Sequence, residues 1–257
     1  MCIIVYKPIG EELPDYNILA GCAADNPDGA GYMYRSDNGK IIISKGFFDI
    51  DELIFEIEKL GNVKDKDIAI HFRYATHGSI SPGNCHPFPI TKNIKTLRRK
   101  NLVCQSAIMH NGVISGMDHK NKTLSDTMCA VKIISDTGEK SQPSLKILSS
   151  GKFLIMDSLE TRMYGDFIND DGIFYSNNGY YLYKYWDEWE KDDTEMDTWD
   201  KWESYWDLQE SEKDDLSDEE VFDRYMCEKK ALFSDMDRDE IEEMWHKRHS
   251  YFGNIYQ

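Results

Sequence analysis

Cys2-Ile3-Ile4-Val5-Tyr6-Lys7 opens the chain with a run of β-branched and aromatic residues headed by a thiol. Such a run predicts a strand, and Pro8, Gly10 and Pro14 then mark a loop. The residue at the head of the strand carries the chemical interest. Removal of Met1 would leave Cys2 with a free α-amine, whose ordinary pKa of about 7.7–8.0 lies near working pH, against about 10.4 for lysine. One residue would then hold a nucleophile and a proton acceptor, acting directly or through one water, with no separate histidine as base. Methionine removal before a small residue such as cysteine is the premise of that chemistry.

Working outward, Asn26-Pro27-Asp28-Gly29-Ala30-Gly31 is turn chemistry leading into a strand at 32–35, and Asn38-Gly39 signals a hairpin before 41–44. Residues 51–60, apolar at 53, 54, 57 and 60, predict an amphipathic helix. Residues 68–72 predict a buried strand ending at Arg73. Residues 103–109 predict another, ending at His110-Asn111-Gly112. A helix is expected over 124–134, with Ser125 or Thr123 near its start. Residues 153–156, 163–167 and 173–176 predict further strands, the last two joined by Asn169-Asp170-Asp171-Gly172. Strands precede and follow helices without regular βαβ alternation, which predicts antiparallel sheets layered with helices.

The formal net charge of -17 is unevenly placed: 22 acidic against 21 basic residues over 1–185, and 25 against 9 over 186–257. All six tryptophans also fall in 186–257. The chain therefore divides into a near-neutral body, 1–185, and an acidic, Trp-rich extension. In the extension, aromatic residues recur at helical spacing and Ser217-Asp218-Glu219-Glu220 forms a capping box, so it predicts a helical C-terminal appendage. An acidic surface argues against nucleic-acid or anionic-membrane binding. The six cysteines (2, 22, 85, 104, 129 and 227) make no C-x-x-C pair and no zinc-ligand spacing, and read as reduced thiols in a cytoplasmic setting. Cys22, Cys104 and Cys129 lie in apolar surroundings and are expected in the core. No stretch approaches the apolar length of a transmembrane helix or a signal-peptide core.

Three polar motifs follow strands: Arg73-Tyr74-Ala75-Thr76-His77-Gly78, trailed by Asn84-Cys85-His86-Pro87-Phe88; His110-Asn111-Gly112; and Ser125-Asp126-Thr127. Together with Cys2, and in this order, they resemble the glutaminase domain of the class II glutamine amidotransferases, members of the N-terminal nucleophile (Ntn) hydrolases. The resemblance covers about residues 2–180 and none of 186–257. It implies a four-layer α/β/β/α sandwich of two antiparallel sheets. Its implied activity is hydrolysis of the side-chain amide of L-glutamine through a Cys2 thioester, giving glutamate and ammonia without a cofactor or metal. Asn111 and the backbone N–H of Gly112 would form the oxyanion hole. Arg73, with Thr76 and His77, would take the substrate carboxylate, and Asp126 its ammonium. Ile3 stands where the family usually has glycine, Asn26-Pro27 where many members have Arg-Gly, and Tyr74 where tryptophan is frequent.

Taken one by one, the same residues have plainer readings. Arg73 alone is also a candidate surface ion pair, and Asp126 a candidate helix N-cap. His77, Cys85 and His86 have poor spacing for a metal. The family normally passes its ammonia to a synthase domain; no nucleotide-phosphate motif is visible, so a separate partner, docking through 186–257, or a free-standing glutaminase is expected. An Ntn amidase acting on another amide and a non-catalytic binding protein using the acidic tail are the alternatives.

Overall fold

Side chains alternate across a strand, so a run that is apolar at every position needs cover on both faces. In the computed structural model, which describes residues 2–75, 79–114, 124–181, 183 and 184, Ile3–Lys7 is a strand (β1) buried at all five positions, apolar or aromatic over Ile3–Tyr6 and closed by Lys7, whose Nζ donates to the Lys66 carbonyl at 2.7 Å. It is followed by α1 (Tyr16–Asp25), β2 (Ala30–Arg35), β3 (Ile41–Phe47), α2 (Ile50–Glu58) and β4 (Ile68–Phe72). Next come β5 (Phe88–Pro89), α3 (Ile94–Leu97), β6 (Asn101–Cys104), β7 (Ser106–Asn111), α4 (Asp126–Thr137) and α5 (Gln142–Leu148). The last strands are β8 (Lys152–Asp157), β9 (Thr161–Tyr164), β10 (Ile168–Asp170) and β11 (Ile173–Tyr175). The chain divides into Met1–Glu190 and Lys191–Gln257; the helical appendage expected over 186–257 lies outside the described residues.

One sheet has seven strands in the order β10-β11-β1-β4-β2-β3-β6, the other four in the order β5-β7-β8-β9. Every pairing between these strands is antiparallel. The two faces of β1 show how the layers stack. Ile3 and Val5 join Ile70 and Phe72 of β4 in packing with Leu19 of α1 and with Leu53 and Ile57 of α2. Ile4 and Tyr6 point the other way and, with Met33 and Ala69, meet Ala107, Met109, Leu154 and Met156 of the second sheet. The far face of that sheet, with Ile108, Phe153 and Ile155, packs on Met128 and Val131 of α4 and Leu148 of α5. The order is helix, sheet, sheet, helix: the expected α/β/β/α sandwich. Each fully buried Ile, Leu or Phe contributes roughly 1.5–3 kcal/mol, so the three apolar seams hold the layers together.

Several elements differ from expectation. The stretch 103–109, expected as one strand, is two strands in two sheets, parted at the polar pair Gln105-Ser106. β6 pairs with β3 at the edge of the larger sheet, and β7 pairs with β5 and β8 in the smaller one. The chain changes sheets at Gln105, and apolar character alone does not say which partner a strand takes. The expected strand 163–167 stops at Tyr164, because Gly165 follows with φ +80°. A separate strand, β10, makes the hairpin with β11, through Asp171 (φ +50°) and Gly172 (φ +83°), a turn chemistry suited to two-residue hairpins. Helix α1 was not anticipated; its small residues let it sit close, since a Cβ on Gly21 would stand 2.2 Å from the Tyr183 ring. α2 begins one residue early and is capped by Asp49, which accepts from the amides of Asp51 and Glu52. Cys22 is buried as expected, whereas Cys104 and Cys129 are only half-buried. Among the described residues no helix is long and apolar enough to cross a membrane.

Candidate functional site

β1 and β4 run antiparallel with Ile3 opposite Phe72, so the residue before one strand and the residues after the other lie side by side. The Tyr74 amide donates to Cys2 Sγ at 3.2 Å, and the thiol lies 3.3 Å from the Tyr74 carbonyl oxygen. Burial pushes the Cys2 thiol above its ordinary value, against the Tyr74 hydrogen bond and the nearby Arg73 charge. The thiol therefore rests protonated at neutral pH, and attack by sulfur needs a proton acceptor.

On the other side of β1 lies β11, with Val5 opposite Tyr175. That register brings Ser176 and Asn177 to the head of β1. The Ile4 amide donates to Ser176 Oγ at 2.8 Å, the Ser176 amide to the Ile4 carbonyl at 2.9 Å, and Asn177 Nδ2 to the Cys2 carbonyl at 2.8 Å. β7 of the facing sheet ends at Asn111, whose Nδ2 donates to the same Ser176 Oγ at 3.0 Å. Cys2, Arg73, Asn111 and Ser176 are thereby linked at one end of the sandwich through strand register.

Gly112 has φ +137°, a conformation L side chains rarely adopt; a Cβ there would also stand 3.1 Å from His110 Nε2. Both flanks of Asn111-Gly112 are tied to the start of α4. Asp126 Oδ2 accepts from the Ile114 amide at 3.0 Å, and His110 Nδ1 lies 3.0 Å from Thr127 Oγ1. Ser125 is the N-cap of α4, accepting from the Met128 amide. Asp126 is therefore not the cap: its buried carboxylate also accepts from the amide and hydroxyl of Thr127 at 2.7 and 3.3 Å.

The 26–31 turn and the Arg73 segment form one unit. The Arg73 amide donates to the Gly29 carbonyl, and the Asp28 amide to the Arg73 carbonyl, each at 2.9 Å. Asp28 Oδ2 accepts from the Ala75 amide at 2.6 Å. Gly31 is needed for close approach, since a Cβ would stand 2.2 Å from the His86 carbonyl oxygen. Arg73 is buried rather than at the surface, with Nη1 donating to the Ser79 carbonyl at 3.3 Å. Thr76 and His77 lie outside the described residues.

Three buried histidines back this region. His71 Nε2 sits 3.0 Å from the His110 carbonyl; a carbonyl only accepts, so Nε2 carries the proton. His86 packs 4.1 Å from His71 and edge-on to Phe88, and His110 stacks on Phe153 at 4.2 Å. Desolvation lowers His71 to about 3 and His110 to about 4, and drives His86 well below its ordinary value. All three are neutral at physiological pH. Among the described residues, neither ring nitrogen of His86, nor His71 Nδ1, nor His110 Nε2 finds a hydrogen-bond partner. Among the described residues no group of three His, Cys, Asp or Glu is placed to hold a metal ion.

Sequence reasoning did not single out Ser176, Asn177, Asp28 or His71 as site residues. The polar pair Ser176-Asn177 directly follows a strand, as Arg73 does, and that position was the available signal.

No protein-family model matches this chain, and no curated protein matches it. Among solved structures, it is similar to glutamine phosphoribosylpyrophosphate (PRPP) amidotransferase from B. subtilis, complexed with ADP and GMP. That match has 21% identity and a TM-score of 0.44, over 70% of this chain and 43% of that one. A second, an allosteric regulatory enzyme of purine biosynthesis, matches with 20% identity and a TM-score of 0.47, over 72% of this chain and 43% of that one. The chain thus spans less than half the length of either structure.

Proposed function

We propose that this chain is a glutamine-hydrolysing enzyme of the N-terminal nucleophile type, converting L-glutamine to glutamate and ammonia. The observation that carries the reading is the Cys2 thiol held against the Tyr74 amide, at the sheet end to which Ser176 also ties Asn111.

The chemistry follows from the groups present. With Met1 removed, the α-amine of Cys2 takes the thiol proton, which burial otherwise keeps in place. Sγ adds to the amide carbon, and the C=O π pair moves to oxygen, where the Asn111 side-chain amide and the Gly112 N–H receive it. The ammonium returns its proton to the leaving nitrogen, the C–N bond breaks, and ammonia departs from a glutamyl thioester. Water then adds with the amine as base, the C–S bond breaks, and glutamate leaves. Arg73 offers a planar fork for the α-carboxylate, with Thr76 and His77 on the same segment, and Asp126 offers a charge for the α-ammonium. The ammonia goes to water or to a separate acceptor enzyme docked through 186–257.

One observation favours a second reading. Asp126 already accepts from Ile114 and Thr127, a holding role that suits an amide substrate lacking the α-ammonium. A carboxylate has about four lone-pair sites, so these bonds leave room for an ammonium, and glutamine stays preferred.

Intact mass spectrometry after treatment with an electrophilic glutamine analogue tests the reading. The expected product is a single adduct on a Met-free chain, mapped to Cys2. An unmodified chain that retains Met1 would sink the proposal.

A further inference from the structure

We infer that Ser176 is a positioning residue for the proposed hydrolysis: its buried hydroxyl joins Asn111 of one sheet to the nucleophile strand of the other and orients the oxyanion donor. The inference rests on the glutaminase reading.

Ser176 is fully buried, and its position is set from two sides. Its amide donates to the Ile4 carbonyl at 2.9 Å, and its carbonyl accepts from Lys152 Nζ at 2.6 Å. The Oγ between them is a fixed point with two lone pairs, and both are used, by the Ile4 amide at 2.8 Å and by Asn111 Nδ2 at 3.0 Å. The terminal torsion of an asparagine is broad, so nothing in Asn111 itself sets the plane of its amide. One N–H held by Ser176 fixes that plane and leaves the second N–H for the oxygen that gains charge. The same Oγ holds the amide two residues beyond Cys2, so donor and nucleophile share one reference point. Misplacement by about 1 Å costs on the order of 100-fold in rate, which is the scale on which such a tie matters. A merely structural serine would satisfy the Ile4 amide and nothing more.

The two roles separate in a double-mutant cycle on the full-length, Met-free chain, with Ser176→Ala, Asn111→Ala and the double variant. Ammonia release from glutamine gives kcat and KM, and iodoacetamide labelling of Cys2, read by peptide mapping, reports the thiol independently of the oxyanion hole. For Ser176→Ala we expect kcat lower by about 10- to 100-fold, with KM within about threefold and Cys2 labelling within about twofold. In the Asn111→Ala background the same change should alter kcat by less than about twofold, since the effect passes through Asn111. An unchanged kcat in Ser176→Ala, or the same fold-loss in both backgrounds, overturns the inference. If Ser176→Ala does not fold, Ser176→Cys, of similar shape and weaker as an acceptor, carries the same expectations. A wild-type chain that does not turn over glutamine removes the functional reading and this inference together. An active wild type with an unaffected Ser176→Ala removes this inference alone.

Discussion

Lowering the pH from 7 to 5 should remove a large part of this fold's stability, through His71, His86 and His110. In the native state burial holds His71 at about 3 and His110 at about 4, with His86 far below its ordinary value. In the unfolded chain each returns to the ordinary 6.5. Between 6.5 and the folded values the unfolded state binds a proton that the native state refuses. Stability is therefore full above about pH 6.5 and falls as the pH drops. Linkage gives about 2 kcal/mol each for His71 and His110 over the step from pH 7 to 5, hence about 4 kcal/mol for the two, with His86 acting in the same direction, against a typical total of about 5–15 kcal/mol. Other shifted groups act elsewhere. Glu139 and Asp157 are lowered from 4.5 and 3.8, and their losses come below this window. Lys45 is lowered to about 7 by burial, so it makes stability rise with pH between about 7 and 10.5 and is protonated in both states below that. Urea unfolding followed by circular dichroism at the two pH values measures the difference. His86→Phe is the informative variant: among the described residues no group hydrogen-bonds the His86 ring, which packs against His71 and Phe88, so a phenyl ring should keep the packing and reduce the acid loss. A pH 5 stability within about 1 kcal/mol of the pH 7 value would mean that the three rings do not stay neutral in the native state.

Two further outcomes follow from the geometry. Gly31→Ala would set a methyl 2.2 Å from the His86 carbonyl and 2.5 Å from Lys45 Cβ. It should cost roughly 1–3 kcal/mol and show as a lowered Tm, with an unchanged melting curve counting against the close approach. Asp126→Asn loses the charge and replaces one accepting oxygen by an NH2 that faces a backbone N–H, since Oδ2 accepts from Ile114 and Oδ1 from Thr127, so the Tm should fall. If Asp126 pairs with the glutamine ammonium, KM measured on the folded variant should also rise about tenfold or more, corresponding to about 1.4 kcal/mol. An unaltered KM for glutamine would favour a substrate without that ammonium.

How far the sequence was legible depends on the kind of information each element needed. The run 3–7 could be read directly as a strand because β-branched and aromatic residues fill it, and the buried strand expected over 68–72 is likewise found there. Ser125 caps α4 through its own side chain, the local signal that placed that helix start, whereas α5, capped the same way by Ser141, was not anticipated. Local signals failed at 103–109, where two short strands separated only by Gln105 read as one although they belong to different sheets, and over 16–25, where Asp15 makes no capping hydrogen bond. In the site, Cys2, Arg73 and Asn111 stood out because each is a polar or reactive residue at the end of an apolar strand.

By itself the sequence determined the strand-end chemistry, the uneven charge and the layered antiparallel class, since periodicity and turn residues act over a few neighbours. Tertiary structure alone decided that Tyr74 meets Cys2 across 72 positions, and that Ser176 joins Ile4 and Asn111 across 172 and 65. Those contacts come from strand register and from the stacking of two sheets. Both are set by which faces can be buried together over the whole chain, and no single segment carries that information.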